Sequence, residues 1–228
     1  MTVAIRRVNV PLLAPEAIIP YLGAPHHWRE GRSAKSLIDQ WWMANDLPGS
    51  VRRLLDQAPE WQNSELVDAF AERSTDLSDG RASHSQSDMF AIVGVGNKLG
   101  ILIVEAKVDE GFDKLVDQWR ADGSAGKQTR LAKLGNLLGL KSETVGGLRY
   151  QLLHRTASTI IEAKRYRASQ AAMIVQSWSP SLHGHDDFLT FVDALGLAKV
   201  KPGELTGPKM VDGVSIRLGW SAECARPS

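Results

Sequence analysis

With 228 residues, a formal net charge of +1 and 43% apolar side chains, the chain has the make-up of an ordinary globular protein able to bury a substantial core. So even a balance gives no global electrostatic argument for a nucleic-acid or membrane partner. One cysteine, Cys224, excludes an internal disulfide and suits a reducing cytosol, and no apolar run approaches the length of a membrane span, so a soluble cytoplasmic protein without a membrane partner is expected.

The first 27 residues, broken by Pro11, Pro15 and Pro20, lack the continuous apolar stretch of a signal peptide and read as an extended arm or edge strand followed by a loop. His26 and His27 adjoin and would point apart in any regular structure, which makes them exposed loop residues. Ser33 is the expected N-cap of a helix over 34–44, whose Leu37, Ile38, Trp41 and Trp42 make an apolar stripe. Pro48 introduces a second short helix over 49–57 with Val51, Leu54 and Leu55 inward. A third is expected around 63–70, carrying Glu65, and a first strand over 72–77 ahead of a polar turn at 78–80.

The stretch 87–107, SDMFAIVGVGNKLGILIVEAK, holds two apolar runs joined at Gly96-Asn97, with charge only at their outer ends. Runs of this composition around a Gly-Asn pair read as a β-hairpin with a two-residue turn, so its glycines belong to turn chemistry and not to a nucleotide loop. That turn sets Asp88 across from Glu105, and Lys107, two residues on, shares their face. Opposed carboxylates about 5 Å apart repel by about 3 kcal/mol at an effective dielectric near 20. Lys107, a proton or a bound metal cation must offset that repulsion. A hard divalent ion would take the carboxylate oxygens and keep open positions for water and phosphate; an Asp88–Lys107 ion pair at the end of a sheet is the simpler reading of the same residues.

Asp109, Glu110 and Asp113 are expected to begin the next helix, where acids suit the positive end, followed by Phe112, Leu115, Val116 and Trp119 at helical spacing. A loop over 121–126 and a helix over 129–138 come next. Between Lys127 and Arg167 nine Lys or Arg meet two acids, a local excess that would suit phosphates or simply line a solvated face. Inside it a long helix over 147–167 turns Leu148, Leu152, Thr156 and Ile160 to the sheet. A neighbouring polar stripe carries Gln151, His154, Arg155, Ser158, Glu162 and Arg165. A buried strand over 171–179, reached through this crossover, should lie parallel to an earlier one. His183, His185, Asp186 and Asp187 invite a metal reading, although Asp186 as the N-cap of a helix over 188–197 accounts for the acids. A last strand over 214–220 is expected at a sheet edge.

Asp88, the hairpin and Glu105-Ala-Lys107 closing an apolar strand resemble the PD-(D/E)xK nuclease superfamily. HWREGRSAKSL, SQSD, VEAKVDEGF and LRYQLLHRTAS are similar to an uncharacterised bacterial branch of it; Ser87 stands where the superfamily's name has proline. The resemblance implies an α/β, restriction-endonuclease-like mixed β-sheet flanked by helices, with an N-terminal helical part. As one domain, 1–228 would divide into an N-terminal arm and helices (1–70), a nuclease-like core (71–180), and a C-terminal helix and edge strand (181–228). It further implies Mg²⁺ (or Mn²⁺) at Asp88 and Glu105, with Glu72 or Glu65 as a third acid, and Glu72 preferred. Lys107 would position or activate water, and Gln151, His154 and Arg155 would orient a phosphate, His154 also being placed to relay a proton. The activity so implied is hydrolysis of nucleic acid, DNA in the first instance, and a homodimer would ease two-strand cleavage. Two rivals stand beside it: the same fold kept as a nucleic-acid or protein binding module without chemistry, and a small-molecule hydrolase centred on the 183–187 loop.

Overall fold

The computed structural model describes residues 9, 11–77 and 84–223. Three consecutive strands, β1 (Glu65–Thr75), β2 (Ser85–Val95) and β3 (Lys98–Lys107), form an antiparallel meander. The β2–β3 turn is Gly96-Asn97, with Gly96 at φ +59, and the ladder runs from Val95↔Lys98 to Met89↔Val104. That conformation is open to glycine at no steric cost, and it sets the register that places Asp88 and Glu105 at the next position outward. Phe90, Ile92, Ile101 and Ile103 enter one apolar cluster while Met89, Ala91, Val93, Leu102 and Val104 enter another. Burial on both faces explains why the two strands read as unbroken apolar runs.

The sheet has six strands in the order β1-β2-β3-β4-β6-β5, with β4 (Gln170–Ser177), β5 (Lys209–Val211) and β6 (Val214–Ala222) completing it. β4 lies parallel to β3 and β6 parallel to β4, as a crossover through helices requires. Helices α1 (Ser33–Ala44) and α2 (Gly49–Leu55) supply Leu37, Ile38, Trp41, Val51, Leu54 and Leu55 to one face. Along the β3–β4 crossover come α3 (Val116–Trp119), α4 (Ala125–Leu138), α5 (Ser142–Val145) and α6 (Tyr150–Arg165); α7 (His185–Ala194) follows β4. α6 lays Leu152, Leu153, Ala157, Ile160 and Ala163 against the opposite face. The protein is thus α/β, with a mixed sheet flanked by helices.

Several expectations are corrected. The stretch 63–70 is no helix: Glu65 pairs with Gly94 and Phe70 with Phe90, so cross-strand pairing overrides the local helical preference. Asp109, Glu110 and Asp113 start no helix either. Glu110 Oε2 accepts the Val108 N–H at 3.1 Å, holding an irregular loop, and Phe112 packs edge-on to Trp220. β6 is not at the edge, because β5 pairs outside it through a turn at Asp212 (φ 48) and Gly213 (φ 83), an Asp-Gly hairpin signal the sequence carries openly. Arg32, not Ser33, stands at the N-cap position of α1, without a side-chain capping bond, and Gly184, not Asp186, stands at that of α7. The N-terminal arm contains two 3₁₀ turns, Pro15–Tyr21 and Pro25–His27. The expected turn at 78–80, Cys224 and most of the first ten residues lie outside the described residues. Among the described residues no helix is long and apolar enough to cross a membrane.

Gly100 on β3 lies beneath Trp61, and a β-carbon there would come within 2.6 Å of the indole ring, which is itself fully buried. Gly100→Ala should therefore destabilise the fold by about 1–3 kcal/mol through overpacking, seen as a lower urea midpoint; an unshifted midpoint would refute this account of the Trp61–sheet contact.

Candidate functional site

Beyond the Met89↔Val104 pair the hairpin is extended by a side chain: Asp88 Oδ2 accepts the Ala106 N–H at 2.7 Å. Strand alternation puts Asp88, Glu105 and Lys107 on the face occupied by Phe90, Ile92, Ile101 and Ile103, and this is the face α6 covers. Glu105 is 1% exposed and Lys107 4%. A carboxylate so far from water needs partners, and α6 brings them four residues apart, hence on one side of the helix. Gln151 Nε2 donates to Glu105 Oε1 at 2.6 Å, and Lys107 Nζ donates to the same oxygen at 2.9 Å. Arg155 Nε donates to Glu105 Oε2 at 2.5 Å. Gln151 Oε1 in turn accepts Lys107 Nζ at 3.1 Å and the Asp113 N–H at 3.3 Å, so one carboxamide fixes acid, ammonium and loop.

The protonation states follow. Burial pushes the Asp88 carboxyl up to about 8, and the neighbouring Glu105 and Glu72 charges add to the rise against Arg155 and Lys107. Burial would raise Glu105 as well, but Arg155 and Lys107 more than reverse it and hold it near 2. Burial opposes the Lys107 charge, yet Glu105 and Asp88 lift its pKa above the ordinary value, so it is a fixed cation and no base. His154 is driven well below the usual imidazole range by burial and by Arg155. Its Nδ1 lies 2.8 Å from Ser85 Oγ and 3.3 Å from Arg155 Nη1. A guanidinium only donates, so Nδ1 is the acceptor and the ring is neutral with its proton on Nε2.

Of the two upstream acids, the structure brings Glu72 to the site. Its charge is felt by Asp88 and Arg155, whereas Glu65 stands far along β1 opposite Gly94. Glu72 holds φ +53 inside a strand, a conformation that costs about 1–3 kcal/mol in a non-glycine residue, and its Oε2 accepts Gln86 Nε2 at 2.6 Å. The outer part of the α6 stripe does not join: Glu162 is buried against Arg73 at 3.6 Å and Arg165 at 3.2 Å. The basic segment is less available than its tally suggests, since Lys127, Arg149, Arg155, Lys164 and Arg165 are all bound to carboxylates. Of the residues expected in a 183–187 loop, His185 opens α7 and packs against Phe188 and Trp220, an aromatic role. Ser85, 2% exposed and bonded to both His154 and Arg155, is the residue sequence reasoning missed; its signal is a polar Ser-x-Ser opening an otherwise apolar strand.

Among the described residues no three His, Cys, Asp or Glu side chains are gathered to hold a metal ion as they stand. Asp88 and Glu105 nevertheless fit a hard divalent ion, which is commonly held by one or two carboxylates with waters and substrate phosphate filling the rest. The supporting observation is the half-buried Asp88 carboxyl itself: it lies beside the buried Glu105 carboxylate and, among the described residues, accepts the Ala106 N–H.

The fold and site define an α/β protein with a buried glutamate and lysine beside a half-buried aspartate at the end of a central hairpin. Residues 11–224 match the family described as Domain of unknown function (DUF6946), and the chain belongs to that family. No curated protein and no solved structure matches it.

The opposite shifts of the acids predict opposite pH behaviour. Asp88, raised in the fold, binds more protons folded than unfolded between its ordinary value and about 8, so its contribution is present at low pH and lost as pH rises through that window. Glu105, lowered to about 2, contributes above its ordinary value and loses that contribution as pH falls through the acid range. In chelator, Asp88→Asn should raise the melting temperature more at about pH 8 than at about pH 5; an equal gain at both, or none, would contradict an uncompensated Asp88 charge.

Proposed function

We propose that this protein is a restriction-endonuclease-like, metal-dependent phosphodiesterase acting on nucleic acid, DNA first. The observation that carries the reading is the convergence of Asp88, Glu105 and Lys107 on one face at the end of the β2–β3 hairpin, backed by Gln151 and Arg155 from α6. The succession of an antiparallel trio, a helical crossover and a parallel fourth strand supports it, as does the resemblance of Asp88…Glu105-Ala-Lys107 to the PD-(D/E)xK superfamily.

Mg²⁺ or Mn²⁺ would be held by Asp88 and Glu105, with Glu72 nearest as a third acid, and would supply Lewis-acid polarisation and a lowered water pKa. The chain's own groups do the remaining work. Lys107, permanently charged, meets negative charge developing on the phosphoryl oxygens. Gln151 holds Lys107 and Glu105 in register with each other, so that their spacing is set before substrate arrives. His154 offers a neutral ring whose Nδ1 is held toward Ser85 and whose Nε2 carries the proton. A second reading, a binding module without chemistry, draws on the full engagement of both Glu105 oxygens by Arg155, Lys107 and Gln151; it expects salt-sensitive nucleic-acid binding indifferent to divalent ions.

The test is hydrolysis of linear and circular DNA, and of RNA, with Mg²⁺ or Mn²⁺ supplied. Wild type should cleave, and Glu105→Ala and Lys107→Ala should each lose about 100-fold or more. Cleavage untouched by both substitutions would remove the mechanism; metal-independent binding with no cleavage would establish the second reading.

A further inference from the structure

Resting on the cation-dependent reading of this site, we propose that Arg155 is a resident counter-ion of Glu105 that a divalent cation must displace, making cation entry a switch controlled from α6. Lys107 and Gln151 both bond Glu105 Oε1, which leaves Oε2 as the oxygen through which Glu105 would turn to an ion; Arg155 Nε occupies it. The guanidinium is itself held from behind. Its Nη1 donates to Ser85 Oγ at 2.9 Å, and Ser85 is bonded to His154 Nδ1. Arg155 is 6% exposed, so this is an interior arrangement and not a surface contact.

The electrostatics make the competition direct. Glu105, Asp88 and Glu72 are the charges that favour the Arg155 cation, and they are the same three acids available to a metal ion. A divalent ion and the guanidinium are therefore alternative occupants of one acidic hollow: with the Lys107 ammonium already on Glu105, bringing both in sets four positive charges against three acids. An anionic ligand resolves it: a phosphodiester at the mouth offers Arg155 another partner with the planar, two-point geometry that guanidinium prefers. By linkage, cation and phosphate then favour each other's binding by one common factor. Arg155 in this account is a positioning residue, bound to acid in one state and available to phosphate in the other.

Mn²⁺ titration by calorimetry and by loss of the free-ion electron-spin-resonance signal tests this without reference to turnover. Arg155→Gln should bind Mn²⁺ about tenfold tighter than wild type, within the range of ordinary site-to-site coupling. Ser85→Ala leaves every charge in place while it removes the hydroxyl that holds the guanidinium and His154 Nδ1, so it should tighten Mn²⁺ by about threefold, the scale of one net hydrogen bond; it carries the test if Arg155→Gln does not fold. Binding of Mn²⁺ by wild type with no tightening in either variant overturns the proposal and leaves the phosphodiesterase reading standing. Absence of Mn²⁺ binding in wild type and in both variants overturns the two together.

Discussion

Glu105 carries a full negative charge with almost no access to water, and the rest of the site is arranged around keeping it there. Removing an ion of this kind from solvent costs several kcal/mol even after relaxation. Three donors meet that cost, drawn from two elements far apart in sequence: Lys107 on the same strand, Gln151 and Arg155 on α6. The packing of α6 on the sheet is therefore constrained twice. Leu152, Ala157 and Ile160 set its depth against the apolar layer, and Gln151 and Arg155 set its rotation and register over the end of β3. A slide of one helical turn, which the apolar contacts alone would resist only weakly, would leave a buried carboxylate without partners.

The two opposed acids have been given contrasting surroundings. Glu105 takes the guanidinium, the ammonium and the carboxamide; Asp88 takes one backbone N–H and the proximity of Glu105 and Glu72. Paired carboxylates whose environments drive their pKa values apart are a recurring feature of sites that handle protons or cations. Here the separation has a simple origin: the positive groups come from α6 and the end of β3 and converge on the β3 acid. The result is a half-buried position, at Asp88, where the Glu105 and Glu72 charges act against ionisation and so favour added positive charge. Glu72, between Ala71 and Arg73, which pair with Met89 and Ser87, adds a third acid whose charge acts on Asp88.

Much of this was legible in the chain because the governing periodicities are short. A Gly-Asn turn between two apolar runs fixes a hairpin register, and a register fixes which side chains share a face; Asp88, Glu105 and Lys107 follow without knowledge of the remaining strands. The four-residue spacing of Leu152, Thr156 and Ile160 likewise gives the buried side of α6, and each is buried, as is Leu148 ahead of the helix. What local pattern could not supply was the third dimension of charge. Arg155 was placed on the right stripe, but whether a guanidinium on that stripe meets a phosphate or a carboxylate depends on the strand beneath it, a separation of fifty residues in sequence. The basic stretch from Lys127 to Arg167 misled in the same way, since its partners Asp122, Asp187 and Asp212 lie outside it. The stretch 63–70 carries a helical pattern, but from Glu65 on it is strand because it pairs with β2, not because of its own composition.

The position of the acid–lysine group in the sheet bears on what it is for. Charges buried merely to anchor two elements can sit anywhere along a strand, yet these occupy the last three residues of β3, at the carboxyl edge it shares with its parallel neighbour β4. Beyond that edge the chain leaves in loops: Val108–Asp113 folds back through Glu110 and Phe112, and Trp178 ties the end of β4 to the Lys107 carbonyl at 2.8 Å. In sheets with parallel strands the crevice outside the carboxyl ends is where ligands are received. The core of the sheet is closed by apolar layers on both faces; on the α6 side the layer gives way to Glu105, Lys107, Gln151 and Arg155 at this end, and to the Arg73–Glu162 pair farther along the helix. Glu105 and Lys107 thus lie where such a crevice opens, the position on which the proposed cation-dependent chemistry relies.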